Sequence, residues 1–296
     1  MSKLTATLTL ILFSSLGHAA VIDGYDLEQN DRFVAEASFI GEDFDWSGVG
    51  ITDRGRWGTL IGPNTVISAG HFAPSGSISF YADNRPGGAA TERTIATGEQ
   101  IADTDLWVGC LSQAVPDSIA TYSIVTDLLT TNNFGAWTHA GGEAYIVGRS
   151  PSPHEITQNV AIGKNTIVGY GENDVFDSGL GTNVDTLGLV YDRPEFIPGF
   201  PNPDYIEFES HLEVGDSGAP LFAEVNGELV ILGINSFITE TTSIASHVSY
   251  VGNQSDTIHA LNAECVAAIP EPRLATPLLL AAICVIFRLR RRSTDS

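Results

Sequence analysis

Residues 58–71 read GTLIGPNTVISAGH, and this stretch decides the fold class. Gly58 to Ile61 and Thr65 to Ser68 are short runs rich in β-branched and apolar residues, separated by Gly62-Pro63-Asn64. Those three are turn formers, so the segment predicts two antiparallel strands, a tight turn between them, and a small-residue bend carrying His71. Small residues beside a histidine leave its ring open to a cleft. The same punctuation recurs along the chain. With 30 Gly and 14 Pro in 296 residues, and Val, Ile and Thr in short runs, the sequence predicts an all-β protein. Apolar residues make up 43% and charged residues 17%, which excludes a disordered chain.

The formal charge is −22, unevenly placed. Residues 1–20 carry +1 and residues 270–296 carry +3, so the body between them holds −26. A body that acidic repels phosphate backbones and excludes nucleic acid as a partner. Residues 1–20, MSKLTATLTLILFSSLGHAA, join Lys3 to a short apolar run and the small-x-small pattern Gly17-His18-Ala19. They predict a signal peptide cut by signal peptidase after Ala19 or Ala20, hence an exported protein. At the other end, Ile269-Pro270-Glu271-Pro272-Arg273 precedes the apolar run 274–287 and the cluster Arg288, Arg290, Arg291, Arg292. The run is shorter than the roughly 20 residues a stable span needs, and the arginines would stay cytoplasmic. This order resembles the PEP-CTERM sorting signal of Gram-negative bacteria. The resemblance implies transient membrane attachment through a hydrophobic helix at 274–289, recognition by an exosortase-type enzyme, and an extracellular or envelope location. The expected organisation is a signal peptide at 1–20, a body at 21–265, and a linker and sorting segment at 266–296.

Cys284 lies in the tail. The body then holds two cysteines in an oxidising compartment, and Cys110–Cys265 is the natural disulfide, with two separate buried thiols as the alternative. A final helix over about 256–263 should dock on the first half and bring Cys265 to the strand end at Cys110.

Two further segments carry chemistry. In Asp103-Thr104-Asp105-Leu106-Trp107-Val108-Gly109-Cys110, an acid opens an apolar strand, which is costly unless its oxygens accept hydrogen bonds. In Gly215-Asp216-Ser217-Gly218-Ala219-Pro220, glycines flank Asp-Ser and permit unusual backbone angles. Together with Val66-Ile67-Ser68-Ala69-Gly70-His71, these resemble the His, Asp and Ser boxes of the chymotrypsin-like (trypsin-fold) serine proteases, with Gly70 for the second Ala and Ala219 for the last Gly. The order His71, Asp105, Ser217 differs from that of the α/β-hydrolases and of the subtilisins.

The resemblance spans about residues 21–265. It implies two six-stranded antiparallel β-barrels with the active-site cleft between them and a short C-terminal helix. It implies a serine endopeptidase acting on protein or peptide substrates without a cofactor or metal. Ser217 would be the nucleophile, His71 the general base, Asp105 its orienting partner, and the amides of Gly215 and Ser217 the oxyanion hole. Asp216 would pair with a freshly exposed N-terminus, expected at Val21 if cleavage follows Ala20. His211 would lie at the floor of the specificity pocket, and Ser236-Phe237-Ile238 would form the substrate-edge strand. The family's Gly-Trp-Gly-like strand fits either Ile146-Val147-Gly148-Arg149 or Val168-Gly169-Tyr170-Gly171. Residues 194–204 read as a long Pro-rich surface loop, and the acids Glu172, Asp174 and Asp177 as solvated loop residues rather than a calcium site. The rival readings are a catalytically idle binding homologue and a structural extracellular-matrix protein.

Overall fold

The computed structural model describes residues 20–34, 37–152, 155–176, 182–197, 200–240 and 243–268. The expected signal peptide, but for Ala20, and the expected sorting segment from residue 269 onward, with its hydrophobic helix, lie outside the described residues. Among the described residues, no helix is long and apolar enough to cross a membrane.

The chain opens with β1 (Val21–Ile22) and a single helical turn α1 (Leu27–Asn30). Then come β2 (Val49–Thr52), β3 (Trp57–Gly62), β4 (Thr65–Ala69), β5 (Ser77–Tyr81), β6 (Ala90–Gln100) and β7 (Leu106–Leu111). These six close into an antiparallel barrel in the order β2-β3-β4-β7-β6-β5. The second half holds β8 (Ser123–Ile124), β9 (Glu143–Gly148), β10 (Ala161–Phe176), β11 (Thr182–Val190), β12 (Glu195–Ile197), β13 (Phe200–Pro201) and β14 (Ser210–His211). It ends with β15 (Pro220–Val225), β16 (Glu228–Glu240), β17 (Ile244–Tyr250) and helix α2 (Ser255–Ala268). Seven of these strands form one sheet, β15-β9-β10-β11-β17-β16-β8, in which β15 also bonds β16, so the bonding runs in a ring. The mainly antiparallel β architecture, one closed six-stranded barrel and the C-terminal helix agree with the sequence reading. Within the Pro-rich segment 194–204, β12 and β13 pair as a short hairpin (Ile197 opposite Phe200).

The opening stretch folds as its residues dictate. Strand β4 is buried along its whole length, because its two faces serve different cores. Val66 joins Leu60, Ile78, Phe80 and Trp107 in one cluster. Ile67 and Ala69 join Trp57, Leu106 and Val108 in a larger core that continues into the second sheet through Leu221, Ile231 and Ile234. The two-residue period of the strand thus fastens both halves together at the strand that delivers His71. Trp46 strengthens the seam, with its ring centroid 5.7 Å from Phe222 and 5.9 Å from Tyr145, both edge-on.

Helix α2 docks where the sequence placed it, though it runs longer. Asn64 Nδ2 donates to the Cys265 carbonyl at 2.6 Å, and Asn262 Nδ2 to the Ile61 carbonyl at 3.3 Å. Cys110 and Cys265 are bonded, with Cα atoms 5.1 Å apart.

Candidate active site

The bend after β4 is a 3₁₀ turn, Gly70–Phe72, that turns His71 back over the start of β7. There Asp105 is completely buried. Its Oδ1 accepts the His71 amide at 2.9 Å, and its Oδ2 accepts His71 Nδ1 at 2.8 Å. Ser236 Oγ donates to the same Oδ2 at 2.5 Å. Three donors on one carboxylate offset the cost of burying its charge, and they fix the imidazole in the tautomer that leaves Nε2 as the acceptor. Ser236, expected on the substrate edge, also braces Asp105 through its hydroxyl.

Ser217 comes to the same place from the second half. Its Oγ donates to the Ser236 carbonyl over a long 3.5 Å. Ser236 therefore spans the site, with its hydroxyl on Asp105 and its carbonyl beneath the Ser217 hydroxyl. The loop carrying Ser217 presses against the segment carrying His71. A Cβ on Gly218, whose φ is +91°, would lie 2.5 Å from Ser68 Oγ and 3.4 Å from the Ala69 nitrogen, so this close approach needs glycine. Gly215, at φ +108°, accepts Trp57 Nε1 on its carbonyl at 3.0 Å. The Gly215 and Ser217 amides have no acceptor among the described residues. His71, Asp105 and Ser217, 146 positions apart from first to last in the sequence, are thus gathered at one seam.

Asp216 points away from the seam and is fully buried. It accepts the Arg149 amide at 2.8 Å and the Glu213 amide at 2.9 Å. Burial pushes its carboxyl up to about 7, against the lowering by those two amides and the Arg149 charge. Of the two candidate glycine strands, Ile146-Val147-Gly148-Arg149 is the one that contacts Asp216. Ala20, one position before the expected Val21, borders Gly148 on the side where Asp216 lies. Ala20 is buried, and its amide donates to the Arg149 carbonyl at 3.1 Å. A Cβ on Gly148 would lie 2.7 Å from Ala20 Cβ and 2.9 Å from Asp216 Oδ1, so the two residues meet across that glycine. Val21 is 37% exposed and pairs with His211 in the β1–β14 ladder.

His211 is buried, with its Nδ1 2.9 Å from the Leu212 carbonyl and the Tyr191 ring edge-on at 4.8 Å. Phe237 stacks flat on His247 with centroids 4.4 Å apart, and Ile238 follows it, partly exposed, opposite Ser246 on β17. Two participants escaped the sequence reading. His247 supports Phe237 from behind, and nothing in its sequence surroundings marks it. Ala20 did carry a signal, since the small-x-small pattern permits a cut after Ala19. Among the described residues, no three His, Cys, Asp or Glu side chains are grouped to hold a metal. Asp177 lies outside the described residues, while Asp174 bonds the Thr186 hydroxyl.

No protein-family model and no curated protein matches this chain.

Proposed function

We propose that the protein is an exported serine endopeptidase. The observation that carries this reading is the shared anchoring of the site: Asp105 holds His71 by two hydrogen bonds, and Ser236 links that carboxylate to the Ser217 hydroxyl. A serine hydroxyl needs a base at neutral pH. In the proposed reaction Ser217 Oγ attacks the scissile carbonyl carbon as His71 Nε2 takes its proton. The Gly215 and Ser217 amides receive the negative oxygen, each contributing about 3 kcal/mol in a dry site. Collapse breaks the C–N bond, and His71 returns the proton to the leaving amine. Water, deprotonated by the same imidazole, then attacks the acyl carbon; the bond to Ser217 Oγ breaks, and the imidazolium returns its proton to Oγ as the acid product leaves. Asp105 holds the ring in place and stabilises the imidazolium that forms.

Ring-like bonding of the second sheet supports the finer reading of a second barrel, with the cleft between the two. His211 and the Phe237–Ile238 edge would border the acyl-side pocket. The sorting segment would hold the enzyme at the envelope until an exosortase-type enzyme acts. Removal of the signal peptide after Ala19 would free an ammonium at Ala20, close to buried Asp216, which makes no ion pair among the described residues. Export itself would then complete the oxyanion loop. Replacing Ser217 by alanine should cut peptide turnover by on the order of 10⁴–10⁶ with the fold intact; unchanged proteolysis would remove the assignment.

A further inference from the structure

In a chain of charge −22, the cations are sparse: residues 20–268 hold eight Lys and Arg. Three of the eight converge on one turn, residues 52–56, between β2 and β3. Arg54 is exposed there, and Arg56 is half-buried. The Arg56 Nη1 donates to the Ala73 carbonyl at 2.6 Å, and its guanidinium lies 4.8 Å over the Phe72 ring, directly after His71. Arg149 reaches the same turn from the other half, its Nη2 donating to the Gly55 carbonyl at 2.8 Å. Its guanidinium also lies on Gly215: a Cβ there would come within 3.1 Å of the Arg149 Cζ and Nε. Gly55 and Gly215 both have positive φ, and together they leave the slot that this guanidinium fills.

Each of the two arginines is thus fixed by a backbone carbonyl, Arg56 by that of Ala73 just after His71 and Arg149 by that of Gly55, while the Arg149 guanidinium also packs on Gly215 of the Ser217 loop. Neither Arg56 nor Arg149 makes an ion pair with a carboxylate among the described residues. The nearby acids are Asp53 in the turn, half-exposed Glu213 in the Ser217 loop, and buried Asp216 behind it. The acyl part of a substrate would run along Ser236–Ile238. Its leaving part would pass on the opposite flank of the Ser217 loop, where Gly215 meets Arg149 and the 52–56 turn. The cationic surface would then lie on that leaving side.

We propose that the leaving-group side of the cleft selects an acidic segment, with Arg56, Arg149 and Arg54 receiving the carboxylates of substrate residues that follow the scissile bond. The proposal rests on the serine-peptidase reading and names its substrate class. Two fixed guanidinia spare much of the ordering cost of such a contact, and Arg suits carboxylates by its forked geometry. Because the rest of the body is strongly acidic, a local cationic surface also gives an acidic segment a single favourable place to land.

The test uses peptides identical before the cleavage point that carry Asp and Glu, Gln and Ser, or Lys after it. Binding to the Ser217→Ala protein is followed by fluorescence anisotropy, and cleavage by the native protein as kcat/KM. The acidic peptide should lead the neutral one by on the order of tenfold in both assays at about 20 mM salt, and the lead should shrink sharply by about 0.5 M. Arg54→Glu and Arg56→Gln should each lower the acidic-to-neutral ratio, Arg54→Glu at an exposed site where folding is not at stake. Cleavage and binding that ignore charge, or favour Lys, would overturn the proposal and leave the peptidase reading standing. Selective binding of the acidic peptide without any cleavage would support the surface and overturn only the peptidase reading.

Discussion

Asp105 sits at the start of β7 with every one of its contacts turned toward the seam. Its two oxygens accept the His71 amide, the His71 ring and the Ser236 hydroxyl. Asp105→Asn would put an N–H donor against the ring nitrogen and favour the wrong imidazole tautomer. That variant should fold normally and lose on the order of 10⁴ in kcat, read by steady-state peptide hydrolysis beside a thermal melt. Ser236→Ala removes one charge-assisted hydrogen bond of three, so kcat should fall roughly tenfold while KM moves less. An equal loss in an Asp105→Asn background would show that Ser236 does not act through the carboxylate. That His71, Asp105 and Ser217 gather at one seam was legible because three boxes occur in one order. The second hydroxyl on Asp105 was not, since nothing local to Ser236 says which way a buried hydroxyl turns. Ala20 and Val21 differ by one residue, and only strand register, Val21 opposite His211, sets which of them reaches Asp216.

At the scale of elements, two devices hold the seam. The first is aromatic. Trp46 and Phe222 are fully buried against each other and against Tyr145 and Tyr122. Phe222→Ala should destabilise the protein by about 3–5 kcal/mol, measured by chemical denaturation. The second is the disulfide, which ties α2 to β7 across 155 residues. Opening so long a loop should cost about 2–5 kcal/mol, and a Cys110→Ala/Cys265→Ala protein would read it as a lower denaturation midpoint. The β3–β4 hairpin and α2 were legible, since turn residues and β-branched runs specify the first and an uninterrupted Asp256 to Ala263 stretch the second. The reach of β10 and β11 was not. Their hairpin runs past two register shifts, and the short candidate strand at 168–171 is only a part of it, with Gly169 opposite Gly188 and Gly171 opposite Thr186. The hairpin of β12 and β13 was hidden as well, because its prolines signal a loop and only cross-strand pairing at Ile197 and Phe200 overrides that.

For the whole molecule, the buried carboxylate of Asp216 links processing at the N-terminus to stability. While Ala20 remains amide-linked to a preceding residue, the Asp216 carboxyl titrates near 7 in the folded protein against 3.8 unfolded. Between those values the unfolded chain has released its proton and the folded one has kept it. Stability therefore falls as pH rises from about 4 to about 7, by on the order of 4 kcal/mol from this group, and levels off above that. A protein beginning at Ala20 places an ammonium beside the carboxylate and should not show that decline. Glu209, also raised to about 7 by burial, contributes equally to both forms and cancels in their difference. Coincident pH–stability curves for the two forms would remove the pairing.

The account as a whole turns on whether the Ser217 oxygen is activated by the His71–Asp105 pair. The most direct measurement treats the protein beginning at Ala20 with a fluorophosphonate probe and maps the adduct by peptide mass spectrometry. The account predicts one adduct, on Ser217, that is lost in Ser217→Ala and strongly slowed in Asp105→Asn. An unlabelled Ser217 in the folded protein, or labelling that ignores Asp105, would contradict it.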